Sequence, residues 1–167
     1  MKIAVNDANI FIDLIDIGLV RRFFRLKLDF HTTTLVINEL DENQKSELQP
    51  FIAKGTLKVK AFSTEEMEAV EQMELDSQKL SQHDLSVYYY AKTINAVILT
   101  GDKSLRTEAK KHGFEVHGVL WIFEQLIANN VITYGVAIDK LNDLMKINTW
   151  LPVQECFDRI EKWKKHL

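Results

Sequence analysis

Four acidic residues recur at similar places in the chain, each after a predicted β-strand or in the first turn of a predicted helix: Asp7, Glu39, Asp84 and Asp102. A single acid of this kind is explained as a helix N-cap. Four that share one edge of a sheet would repel one another unless a cation compensates. Hard oxygen ligands select Mg²⁺ or Mn²⁺. Such a site suits phosphodiester hydrolysis, because the metal orients the phosphate, lowers the pKa of the attacking water and stabilises the leaving oxygen.

The segment around Asp102 gives the clearest local pattern. A short apolar run, 96–99, stops at Thr100 and Gly101, and a helical pattern follows over 104–112. An uninterrupted apolar run of this length is typical of a parallel strand covered on both faces. Asp102 then lies just beyond the carboxyl end of the strand, where open α/β sheets bind ligands. A role as N-cap alone stays open for this residue.

The other three acids follow the same arrangement. A strand over 2–6 ends at Asp7, and an apolar stripe of helical spacing begins at Ile10. A β-rich stretch over 30–36 precedes Glu39. Ser81 lies three residues before Asp84, which is close to a capping box, so a capping role competes there with a ligand role.

The remaining segments define the fold class. Residues 57–62 alternate apolar and polar, which predicts an edge strand with one wet face, and 114–117 predicts a last short strand. Helices are predicted at 46–54, 64–75, 104–112, 118–129 and 138–147, with a final one from Pro152. Strands that alternate with helices predict a central parallel sheet between two helical layers, a three-layer α/β/α fold.

Composition limits the class of protein further. The 167 residues are 46% hydrophobic, enough for one domain with a full core. The net charge is −3, so binding to nucleic acid would need local basic patches. The one cysteine excludes an internal disulfide and a multi-cysteine zinc site. No apolar stretch approaches membrane-spanning length and no signal peptide is evident, so we expect a cytoplasmic protein with no membrane partner.

Two groups of cations could form such patches. Arg21, Arg22 and Arg25 share a face of a predicted helix, and Lys103 and Arg106 follow the fourth acid. The arginines could face phosphates, although a solvated helix face is the commoner explanation for such a run. His83, beside the third acid, presents the same choice between a contact to substrate and a neutral surface position.

Four segments together resemble the signature of the PIN-domain family. They are Asp7-Ala8-Asn9, residues 37–40, residues 80–84 and residues 99–106, in the order and spacing of that family. The family comprises Mg²⁺- or Mn²⁺-dependent ribonucleases and includes the VapC-type toxins of toxin–antitoxin pairs.

The resemblance implies a role for each of the residues named above. Asp7, Glu39, Asp84 and Asp102 would be the catalytic, metal-binding acids, with Asn9 and Thr100 orienting them through hydrogen bonds. The enzyme would cut RNA to leave a 5′-phosphate and a 3′-hydroxyl. The basic candidates for guiding the RNA are Arg21, Arg22, Arg25, Lys103 and Arg106. A cognate antitoxin and a second copy in a homodimer are the expected partners.

The resemblance covers residues 1 to about 128. A predicted helical extension over 134–167 goes beyond it, and we expect the whole chain, 1–167, to form a single domain. This extension could cover the surface used by an oligomer or by an antitoxin. An extra acid that some family members carry after the fourth is only loosely matched by Glu108, so a second metal ion would bind weakly or only with substrate.

Three other functions compete with that of a ribonuclease. The main alternative is a catalytically idle PIN-fold module that only binds a partner, although gathering four acids without a function is costly. A nuclease acting on DNA flaps would need long helical insertions. A phosphatase of the aspartyl-nucleophile type would need a second Asp where Asn9 stands. No glycine-rich nucleotide-binding motif is present in the sequence.

Overall fold

A computed structural model describes residues 1–76 and 80–167, together with the side chains of all of these except 74–76. Five strands lie in the described residues: β1 Lys2–Asn6, β2 Leu28–Thr33, β3 Leu57–Lys60, β4 Val97–Leu99 and β5 Val116–His117. Ten helices accompany them: α1 Ala8–Asp16, α2 Val20–Phe23, α3 Thr34–Glu39, α4 Glu42–Ala53, α5 Thr64–Asp76, α6 Gln82–Ile94, α7 Lys103–Lys111, α8 Val119–Ala128, α9 Tyr134–Ile147 and α10 Val153–Lys164.

All five strands form one parallel sheet in the order β3-β2-β1-β4-β5. The register pairs Asn6 of β1 with Leu99 of β4, so these two strands end level with each other. This common end is the carboxyl edge at which the sequence predicted the acids to meet. The predicted α/β/α architecture is confirmed, and β3 lies at the edge of the sheet as expected.

Successive residues of β2 point to opposite faces of the sheet and show what each face packs against. Phe30 stacks edge-on against Phe23 and Phe24, which α2 and the residue after it supply. His31 points the other way and its Nδ1 lies 2.8 Å from Oη of Tyr90 on α6. Helices α1, α2, α4 and α8 therefore form one layer, while α5, α6 and α7 form the other.

The extension continues the first layer, because α8 contacts α9 and α9 packs along α10. Trp163 of α10 is fully buried, and its ring lies 5.9 Å from that of Phe123 on α8. In the part of the chain that the structure describes, no helix is both long enough and apolar enough to cross a bilayer.

Capping side chains explain where the predicted elements were wrong. The strand predicted over 30–36 ends at Thr33, because Thr33 Oγ1 accepts a hydrogen bond from the Val36 N–H and starts α3. Helix α4 begins at Glu42, not at residue 46, because Asp41 and Gln44 form a capping box. Helix α9 begins four residues before the predicted start, at a cap formed by Thr133. The predicted strands at 57–62 and 114–117 are shorter at 57–60 and 116–117.

Replacing Trp163 tests whether the extension shares the core. Trp163→Ala should lower the free energy of unfolding by about 3–5 kcal/mol, the usual effect of deleting a large buried aromatic ring. Urea denaturation followed by circular dichroism measures the change. The matched control is Phe157→Ala on the same helix, whose side chain is half exposed and whose loss should cost less than about 1 kcal/mol. Equal effects of the two substitutions would contradict a shared core.

Candidate active site

Asp7 is the buried centre of the carboxyl edge. It follows β1 and caps α1, since its Oδ1 accepts a hydrogen bond from the Ala8 N–H at 2.8 Å. Its Oδ2 accepts a hydrogen bond of 2.6 Å from Thr100 Oγ1 and one of 3.3 Å from Asn9 Nδ2. Asn9 and Thr100 thus contact Asp7 directly, and their role in orienting a metal ligand stays a prediction.

The turn after β4 connects Asp102 to the same network. The Asp102 N–H donates to Thr100 Oγ1 at 3.0 Å, so one hydroxyl joins the two acids. The Gly101 N–H donates to Asn9 Oδ1 at 2.8 Å. Asp102 Oδ1 accepts from the Leu105 N–H and caps α7. Two chain segments that are far apart in sequence are thereby fixed against each other.

Glu39 and Asp84 come to the carboxyl edge from α3 and α6. Glu39 is the last residue of α3, and its Oε1 lies 2.9 Å from Nδ1 of His83. Asp84 Oδ2 accepts a hydrogen bond from the Ser81 N–H, and Ser81 Oγ accepts one from the Asp84 N–H. This capping box shows that the capping role considered for Asp84 is present, as it also is for Asp7 and Asp102.

The acids act on each other's ionisation. Burial raises the pKa of Asp7 from its ordinary 3.8 to about 6, and the charges of Asp84 and Glu39 add to the rise. Burial and then the charge of Asp102 raise the pKa of Asp84. Burial also raises the pKa of Glu39, against the opposing charge of His83. All four acids therefore belong to one electrostatic cluster.

The donor chemistry of this cluster fits a hard divalent cation. Within residues 1–76 and 80–167, no three Asp, Glu, His or Cys side chains converge closely enough to ligate one ion directly. Mg²⁺ needs fewer protein ligands than that, because it keeps several waters and binds through one or two carboxylates together with substrate phosphate. Asp84 uses only Oδ2 and Asp102 only Oδ1 in their caps, so each has a second oxygen outside the cap.

The basic candidates separate into two places. Lys103 and Arg106 lie on the first turns of α7 and line a cleft beside Asp102. Arg21, Arg22 and Arg25 lie between the end of α1 and the start of β2. This places them at the amino ends of the strands, opposite the carboxyl edge. The nine residues of α1 separate them from Asp7 by roughly 13 Å at the helical rise. The structure does not bring the three arginines to the acids.

Sequence reasoning missed the cleft itself. Its volume is about 690 Å³, and it lies between the carboxyl edge and the extension. Asp13 of α1 lies in it, one helical turn beyond Asn9, and accepts hydrogen bonds of 3.0 and 3.1 Å from Asn148 Nδ2. Burial raises the pKa of Asp13 to about 6. The i, i+4 spacing of Asn9 and Asp13 was the one available signal, although it gave no hint of Asn148.

A parallel α/β/α fold with an acidic carboxyl edge defines the class of this protein. Comparison with known families then gives the membership, since a family model described as a PIN domain matches residues 3–165. The chain belongs to the PIN-domain family. The match continues through α9 and α10, so it goes well beyond the first 128 residues that carried the resemblance in sequence.

One curated relative is the Endoribonuclease Nob1 of Methanocaldococcus jannaschii. The two proteins are 30% identical over 92 residues, which is 54% of this chain and 46% of that relative. The chain therefore matches less than half the length of the relative.

The raised pKa of Asp7 predicts a pH-dependent penalty on stability. Because the folded-state pKa of about 6 exceeds the unfolded value of 3.8, the folded state loses stability as pH rises from about 3.8 through 6. Asp7→Asn removes the charge, so the variant should be more stable than the wild type by about 1–2 kcal/mol at pH 7.5 without divalent metal. Thermal unfolding in EDTA at pH 7.5 and pH 4 measures this gain, which should vanish at the lower pH. A gain of equal size at both values would be inconsistent with a charge effect.

Proposed function

We propose that the protein is a Mg²⁺- or Mn²⁺-dependent endoribonuclease that hydrolyses RNA phosphodiester bonds. The observation that carries the proposal is the carboxyl edge, where burial and neighbouring acids raise the pKa values of Asp7, Glu39 and Asp84, and where Thr100 Oγ1 joins Asp7 to the backbone of Asp102. Membership of the PIN-domain family and similarity to part of an endoribonuclease support it.

The acids would hold one or two divalent ions at this edge. When bound, the metal supplies charge that neutralises the phosphate and favours deprotonation of the attacking water. Thr100 and Asn9 keep the carboxylate of Asp7 in one orientation, so little reorganisation accompanies binding. The backbone caps do the same for Asp84 and Asp102.

The proposed path of the RNA backbone runs along α7. Lys103 is exposed and Arg106 is half-buried, and both line the cleft that opens beside Asp102. Their cations would offset the repulsion between the acids and the phosphates of the substrate. Contact of RNA with Arg21, Arg22 and Arg25 stays a prediction, and it would need a second surface at the other edge of the sheet.

The toxin role, the antitoxin partner and the homodimer also stay predictions. Growth arrest on expression of the wild-type gene, relieved by a small neighbouring reading frame, would support the first two. Sedimentation of the purified protein would decide the third.

Loss of a single acid should abolish cleavage. Asp7→Asn and Asp84→Asn should each lower the rate of cleavage of single-stranded RNA at least ~100-fold. Mutating a residue that only hydrogen-bonds a metal ligand already lowers metal affinity or activity about 10–100-fold, and losing a ligand itself should cost more. The measurement is cleavage of a mixed RNA pool with Mn²⁺ or Mg²⁺, and EDTA should abolish it.

Asp16→Ala is the matched control, since Asp16 is an exposed acid at the far end of α1. It should cut at the wild-type rate. If the wild type cuts no faster than the Asp7→Asn protein, the catalytic proposal fails and an interaction module becomes the better explanation.

Charge removal separates the two basic groups. In a cleavage-dead Asp7→Asn background, Lys103→Ala with Arg106→Ala should lower the slope of log affinity for RNA against log salt by about 1.4, the value for two lost contacts to a single strand. Arg21→Ala with Arg22→Ala removes the same charge at the amino ends of the strands. A lower slope for this variant would support the predicted second RNA surface, and an unchanged slope would contradict it. Binding titrations at several salt concentrations measure both variants. A slope for the Lys103 and Arg106 variant equal to that of the parent would remove α7 from the RNA path.

A further inference from the structure

The cleft beside Asp102 has one wall that the catalytic proposal does not use. The carboxyl edge and the start of α7 form one side, and the loop 148–152 between α9 and α10 forms the other. Its volume of about 690 Å³ falls within the range of about 300–1,000 Å³ that is usual for small-molecule sites. A nucleotide-sized group therefore fits beside the acids.

This wall is fixed in place by the side chain of Asn148. Its Nδ2 donates to both carboxylate oxygens of Asp13 on α1, and its Oδ1 accepts from the Trp150 N–H at 2.9 Å. The backbone that carries Trp150 is thus tied to the same helix that carries Asn9. These hydrogen bonds hold the loop against α1.

Three aromatic rings line the cleft. The side chain of Trp150 is 92% exposed, which is unusual for so large an apolar group. The other two rings, of His117 and Trp121, are stacked 4.3 Å apart and within 8° of parallel. Flat aromatic surfaces of this kind stack with nucleobases of any sequence.

Two of the cations that line the cleft, Lys103 and Arg106, lie on α7 next to Asp102. A third, Arg159 of α10, pairs with Glu124 at 3.7 Å, whereas neither Lys103 nor Arg106 takes part in an ion pair among the described residues. Arg106 lies across Gly118, where an added Cβ would be 3.3 Å from Nη1. Positive charge beside Asp102 and the exposed ring of Trp150 in the same cleft match the phosphate and the base of one nucleotide.

We propose that this cleft binds a nucleotide of single-stranded RNA next to the bond that is cut, with its base stacked on Trp150 and its phosphate beside Lys103 and Arg106. The inference rests on the proposed ribonuclease function and adds a binding site for substrate. The extension then acts as one wall of the substrate cleft, and Asn148 is the positioning residue of that wall.

Removing the exposed ring tests the base-binding site. In the full-length Asp7→Asn background, Trp150→Ala should weaken binding of a fluorescein-labelled hexauridylate about tenfold, a typical loss for one base–aromatic stack. Binding of an abasic ribose-phosphate hexamer should not change, because it has phosphates but no bases. Fluorescence anisotropy measures both affinities. Trp150→Phe should restore most of the binding.

The matched control is Phe157→Ala, which removes a half-exposed aromatic ring of the extension that lies outside the cleft lining. It should bind both oligomers as the parent does. Asn148→Ala leaves Trp150 in place and should still weaken binding of hexauridylate but not of the abasic hexamer.

Three results would overturn the inference. The first is that Trp150→Ala binds hexauridylate as tightly as its parent does. The second is that it loses equal affinity for hexauridylate and for the abasic hexamer. The third is that Trp150→Ala breaks up a protein dimer or larger assembly while its RNA affinity stays unchanged. The last would assign the wall to a second copy of the chain. Cleavage is measured separately, with the wild-type chain. If the wild type cuts RNA but Trp150→Ala has no effect on binding, only the proposed base-binding cleft is refuted. If Trp150 contributes to binding but no metal-dependent cleavage is seen, only the proposed nuclease function is refuted.

Discussion

The hydrogen bond from Thr100 Oγ1 to Asp7 Oδ2 is the contact on which the arrangement of the carboxyl edge depends. Both residues are buried, and a buried carboxylate without partners would be very costly. The bond is possible because Asn6 and Leu99 are paired in the parallel sheet, which brings the ends of β1 and β4 level. The same hydroxyl accepts from the Asp102 N–H, so one side chain sets the positions of two acids.

Capping and clustering are combined in the same carboxylates. Asp7, Asp84 and Asp102 each use one carboxylate oxygen to accept a hydrogen bond from a backbone N–H at the start of a helix. These bonds favour the ionised form, while burial and neighbouring acids oppose it, and the result is a raised pKa for Asp7 and Asp84. The ionised form of Asp7 therefore lowers the stability of the folded protein at neutral pH.

The extension lines the cleft beside Asp102 and also contributes to the core. Trp163 and Cys156 of α10 are fully buried, whereas Trp150 in the preceding loop is almost fully exposed. Asn148 connects these two roles, because it joins the extension to Asp13 on α1. The family match through residue 165 agrees with an extension that is integral to this chain.

The sequence by itself determined the fold class, the carboxyl edge and the identities of its acids, since a strand followed by a turn and a capped helix is a local pattern. The sequence did not reveal the starts of two helices. Helix α3 begins within a β-rich stretch because Thr33 caps it, and α4 begins within a polar segment because Asp41 caps it. Only the tertiary structure decided that three arginines lie at the opposite edge and that a cleft adjoins Asp102. The contact between Asp13 and Asn148 spans 135 positions, and no local pattern encodes the folding back of a helix over such a distance.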